Sequence, residues 1–91
     1  MYTLSEIMPV TLEVVTKVFA DDSLLLTETT YLPDVGGFDS LRIVTILETL
    51  EATLGIEAEP SRLLPEAFET PRKIAELFVE SQKTSEALKR E

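Results

Sequence analysis

Apolar positions recur at intervals of three and four residues in three stretches of this chain, separated by polar and Pro/Gly-rich segments. The first stretch carries Val10, Val14, Val15, Val18 and Phe19, with Leu12 widening the stripe. That spacing predicts a helix ending at Phe19, closed by Ala20-Asp21-Asp22-Ser23. Its start has two readings. Thr3 and Glu6 have the spacing of a capping box. Pro9 would then sit deep enough to clash with the preceding turn, whereas at a first turn its missing N–H costs little. The expected start is therefore Met8 or Pro9, and the earlier start would require a kink.

The second stretch is the clearest. Leu41, Val44, Leu47, Leu50 and Leu54 form one stripe, broadened by Ile43 and Ile46, which predicts a helix over Ser40–Leu54 with these residues in the core. Asp39 suits its N-cap and Gly55 its stop. Arg42, Thr45, Glu48, Thr49 and Glu51 fill the polar side. In the third stretch, Thr70 is the expected cap and Pro71 the first helical residue, with Ile74, Leu77 and Phe78 as the apolar face and Ala75 and Val79 flanking it. Pro65 to Glu69 reads as one short helical turn.

The connections differ in weight. Residues 21–39 make a long loop, broken by Pro33, Gly36 and Gly37, in which Leu24, Leu26, Tyr31, Leu32 and Phe38 can pin it to a core. A loop this long in a small domain is usually functional or packed by its own side chains. A strand at Leu24–Thr27 would find no convincing partner. Ile56 to Leu64 is a second connection containing Pro60. From Ser81 the chain is polar and Leu88 alone cannot anchor it, so residues 81–91 are expected as a tail, frayed or disordered, beyond a domain at 1–80. The pattern gives an all-α fold: a small four-helix bundle of three main helices and one short one, with a long first loop.

Composition changes this picture in two ways. The 91 residues carry a net charge of −9, and no His and no Cys. Between Asp21 and Glu59 the acidic residues are Asp21, Asp22, Glu28, Asp34, Asp39, Glu48, Glu51, Glu57 and Glu59, against Arg42 as the single base. Phosphate backbones would be repelled, so no nucleic-acid partner is expected, and basic protein surfaces would be attracted. No apolar run approaches a membrane span. The first residues lack the basic flank of a secretory signal. The expectation is a cytoplasmic monomer with no membrane partner. Without Cys there are no disulfides or thiolate zinc sites. Asp21-Asp22 and Glu57 with Glu59 are too sparse for a calcium loop, so no metal is expected.

The candidate chemistry sits at Gly36-Gly37-Phe38-Asp39-Ser40-Leu41. A serine nucleophile needs an adjacent base. The chain has no His, Lys17, Lys73, Lys83 and Lys89 are remote in sequence, and Asp39 would be occupied as a cap. The segment also lacks the second glycine and preceding strand of a nucleophile elbow. Ser40 is better suited to being modified. A helix start offers free N–H groups and positive dipole to an attached phosphate, and two glycines leave the approach open.

The segment Gly37-Phe38-Asp39-Ser40-Leu41 resembles the Asp-Ser-Leu motif of acyl carrier proteins. Leu50-Glu51 and Leu54-Gly55-Ile56 resemble the end of that family's second helix, and Phe68-Glu69-Thr70 with Ile74 and Leu77 its entry into the last helix. The resemblance covers roughly Thr27 to Val79. It implies a 4′-phosphopantetheine on Ser40, flanked by Asp39 and Leu41, delivered from coenzyme A by a separate phosphopantetheinyl transferase. It implies a non-catalytic carrier whose partners also include an acyl- or aminoacyl-loading ligase or synthase and downstream transferases. Glu48 and Glu51 match the family's acidic docking positions. Arg42, assigned to the same docking face, departs from the pattern of fatty-acid carriers, which favours a carrier of a specialised pathway. Phe68 or Leu41 could border a cleft for the arm or a short acyl chain. The alternative is a helical protein-interaction module with an acidic docking helix and no prosthetic group.

Overall fold

The computed structural model describes residues 1–19 and 25–89, with residues 85–89 as backbone. It contains three α-helices: α1 (Leu4–Phe19), α2 (Ser40–Leu54) and α3 (Pro71–Lys89). Short 3-10 turns lie at Leu32–Asp34, Pro60–Arg62 and Pro65–Phe68. The last of these is the expected short helix. Both α2 and α3 pack on α1. Residues 25–27 form no strand, and the expected stop after Phe19 lies outside the described residues.

Helix α1 starts at Leu4, not at Met8 or Pro9. The capping box forms: the Thr3 amide donates to Glu6 Oε1 at 2.9 Å, and the Glu6 amide to Thr3 Oγ1 at 3.3 Å. Pro9 lies inside the helix. It lacks the N–H that would reach the Ser5 carbonyl, but Ser5 and Pro9 are both exposed, so water can take that carbonyl. The earlier start adds Ile7 to a buried face that also holds Met8 and Thr11. Buried Thr11 stays satisfied by donating to the Ile7 carbonyl at 3.0 Å.

Thr3→Ala should cost about 1 kcal/mol of stability, the usual value of an N-cap, read as a shift in the denaturant midpoint. The Thr3 amide, then its hydroxyl, hold the Glu6 carboxyl below its ordinary range. This contribution is complete above the ordinary glutamate pKa and is lost as pH falls through the lowered one.

Fully buried Ile7, Val15, Leu32, Ile46, Leu50, Ile74, Ala75 and Phe78 form the centre of the core. Leu26, Phe38 and Phe68 pack against it from outside α-helices. Tyr31 of the first loop is instead exposed.

The first loop is fastened to the start of α3. The Leu32 amide donates to the Glu69 carbonyl at 2.7 Å, and the Arg72 amide to the Glu28 carbonyl at 2.8 Å. Arg72 and Glu28 also pair through their side chains at 2.8 Å. The amides of this helix start are thereby accounted for. Pro71 has none, Arg72 uses Glu28, Lys73 uses Thr70 Oγ1 at 3.1 Å, and Ile74 uses the Thr70 carbonyl.

The second connection is tied by side chains. The Ala58 amide donates to Glu51 Oε2 and the Glu59 amide to Ser81 Oγ, each at 2.9 Å. The polar stretch from Ser81 is helical as far as Lys89. Ser81 and Gln82 are buried there, and the Gln82 amide group pairs with both the backbone N–H and C=O of Tyr2. Polar residues hold this part of α3 to the domain where apolar ones are lacking.

Candidate functional site

Ser40 is the first residue of α2, and its side chain is exposed. Asp39 caps the helix: its backbone is extended, and Oδ1 accepts from the Arg42 amide at 2.8 Å. The second carboxylate oxygen, Oδ2, accepts from Arg42 Nη1 at 3.0 Å, and the same nitrogen donates to the Gly37 carbonyl at 2.9 Å. Gly37 has φ +91°, a conformation that L side chains rarely adopt. Around Gly36 a side chain would meet nothing within 4 Å, so the approach to Ser40 from that side is open.

Leu41 and Val44 are not core residues. Leu41 is 74% exposed and Val44 46%. The buried line of α2 is Ile46, Leu50 and Leu54, with Leu47 packed beside it. Leu41 lies nine residues before Leu50, two and a half helical turns away, and so on the opposite side of the helix. Leu41 and Glu48, seven residues apart, stand nearly in line on that outer face. An apolar patch thus follows Ser40 directly, with a carboxylate about two turns further on.

The proposed docking residues separate into different environments. Glu48 is exposed. Glu51 is half-buried and already accepts from Ala58. Both border an open groove with Ala52, Gly55, Ile56 and Glu57 at the C-terminal end of α2. Arg42 is folded back on Asp39 and Gly37. A second open groove runs along α3, lined by residues that include Leu64, Ala67 and Leu77. Its lining includes neither Leu41 nor Phe68. Among the described residues no group of His, Cys, Asp or Glu has the arrangement to hold a metal ion, and no helix is long and apolar enough to cross a membrane.

The site is therefore an accessible hydroxyl at a helix start, and among the described residues no general base is hydrogen-bonded to it. That arrangement can accept a group. Residues 11–78 match the family model described as a phosphopantetheine attachment site. This match covers well over half of the chain and includes all of α2. The chain belongs to the acyl carrier protein family. No curated protein matches it at a significant level. Among solved structures it is similar to the solution structure of a holo acyl carrier protein from Geobacter metallireducens, with a TM-score of 0.64 and 26% identity. That likeness covers 93% of this chain and 91% of the other.

The prosthetic group of the family is 4′-phosphopantetheine, and this carrier's residues fit it. The hydroxyl is exposed, the surroundings of Gly36 are open, and the first-turn amides of α2 offer positive dipole to a phosphodiester. The group supplies a terminal thiol that holds an acyl cargo as a thioester. Carriers of this kind are generally non-catalytic, and act through a phosphopantetheinyl transferase and biosynthetic enzymes.

Proposed function

We propose that this carrier is modified on Ser40 and serves acyl or aminoacyl transfer in a specialised pathway. The observation that carries the site is the exposed Ser40 hydroxyl at the start of α2, inside the matched segment. In the modification, Ser40 Oγ forms a bond to the pantetheine-side phosphorus of coenzyme A. The bond from that phosphorus to the adenosine bisphosphate breaks, and the hydroxyl proton leaves with the departing group. Asp39 and Leu41 flank the attachment point. The test is intact mass after incubation with a transferase, coenzyme A and magnesium, with Ser40→Ala in parallel.

Loading ligases or synthases and downstream transferases would then dock beside the arm. Leu41 and Val44 supply apolar contact next to it, and Glu48 a charge that draws basic surfaces. Glu48→Lys should slow association with the transferase several-fold at low salt, with the difference fading as salt screens it. Glu51→Lys should also lose the bond from Ala58 and with it about 1–2 kcal/mol of stability. Stopped-flow association across a salt series reads the first effect. Equal rates for wild type and Glu48→Lys at every salt concentration would remove the acidic docking role. The specialised pathway rests on Arg42, placed where fatty-acid carriers commonly have an acidic or small residue. Identifying the acyl group found on the carrier isolated from its own cell would test it.

A further inference from the structure

Two glycines three and four residues before the proposed attachment site pose a physical difficulty. Gly36 and Gly37 have the greatest backbone freedom of any residues, yet they lead into the residue whose hydroxyl must be placed. Left alone, they would let the approach to Ser40 sample many shapes. Arg42 closes that freedom from the far side of the serine. Its Nη1 reaches across to two acceptors at once, Asp39 Oδ2 at 3.0 Å and the Gly37 carbonyl at 2.9 Å. The guanidinium lies so close over Gly37 that a Cβ there would stand 3.3 Å from its Cζ. Glycine is thus favoured at 37 by its φ of +91°, and a Cβ there would make the Arg42 guanidinium give by a few tenths of an ångström.

We propose that Arg42 is a positioning residue for the modification of Ser40. It clamps Gly37–Asp39 onto the first turn of α2 and pre-forms the surface that a phosphopantetheinyl transferase engages. The proposal rests on the reading of Ser40 as the attachment site. A planar guanidinium holds a carboxylate and a carbonyl together in fixed geometry, which a lysine ammonium does less well. The pair is partly exposed, with side chains 40% and 50% accessible, so its worth to global stability is small. Its effect falls on the local population of the competent shape. If that population drops to about a fifth, the apparent affinity of the transferase falls about fivefold, while the bound complex reacts as before.

The experiment compares wild type, Arg42→Ala and Arg42→Lys in two measurements. The first is backbone amide order parameters of Gly36 to Ser40 in the unmodified protein. The second is the initial rate of phosphopantetheine transfer from coenzyme A against carrier concentration. Arg42→Ala should lower the order parameters of Gly36, Gly37 and Phe38, leave those of α2 beyond its first turn unchanged, and raise KM about fivefold with kcat within a factor of about two. Arg42→Lys should recover part of both effects. Unchanged order parameters in Arg42→Ala overturn the clamp, and a KM increase in that case makes Arg42 a docking charge. Lower order parameters with unchanged KM overturn the positioning role. If wild type takes no phosphopantetheine, the attachment reading fails, and the order parameters still decide whether Arg42 holds the loop.

Discussion

Ser40→Ala should show no mass gain under conditions in which wild type gains one phosphopantetheine. The loss is complete because the hydroxyl oxygen is the atom that would bond phosphorus, and no neighbouring side chain can substitute for it without displacing the arm. Ser5, Ser61, Ser81 and Ser85 lie outside an Asp-Ser-Leu context; Ser23 stands in one, Asp22-Ser23-Leu24, but without the Gly-Phe that precedes Asp39, so none is expected to be modified in place of Ser40. The fold should survive. Ser40 is exposed, and the cap of α2 comes from Asp39 rather than from Ser40. A surface change of this kind stays within about 0.5 kcal/mol. Far-ultraviolet circular dichroism should therefore overlay on wild type. A mass gain on Ser40→Ala would move the attachment site elsewhere and undo the functional reading.

Phe78→Ala should do the reverse, keeping Ser40 and removing the fold that presents it. Phe78 heads the fully buried side chains by volume among the described residues. It lies on α3, which packs against α1, within the cluster that joins Ile7, Leu32, Ile46 and Leu50. Truncating a buried phenylalanine costs about 3–5 kcal/mol. A small domain holds on the order of 5–10 kcal/mol in total. At about 4–8 °C per kcal/mol for a domain this size, the melting temperature should fall by roughly 12–40 °C. A fall of less than about 5 °C would mean that the core closes over the cavity and that Phe78 is not its centre.

The elements themselves were legible because their signals are local. Asp39 before Ser40, Gly55 after Leu54, and Thr70-Pro71 before α3 each satisfy backbone groups within one helical turn. The short turn at Pro65–Phe68 was read from its proline in the same way. The start of α1 lies earlier than the clash expected of Pro9 suggests. The capping box outweighs it, since one missing donor over an exposed Ser5 carbonyl costs little once Thr3 and Glu6 satisfy each other. The assignment of Leu41 and Val44 to the core was a fault of helical phase. Counting from Leu50 at 3.6 residues per turn would have put Leu41 on the outer face.

The sequence alone determined the existence of the three helices, the caps of α2 and α3, the apolar residues available to a core and the motif around Ser40. Each depends on neighbours within about four positions, or on a pattern of residue types. Tertiary structure decided the rest. It fastened the long first loop through Glu28 and Leu32 to the start of α3, and buried Ser81 and Gln82 against Glu59 and Tyr2. It tied Glu51 to Ala58, and turned Arg42 back onto Gly37 and Asp39. These are choices among partners that a polar side chain could equally have found in water. What selects among them is which backbone groups the packed helices bring within reach, and no pattern of residue types along the chain specifies that.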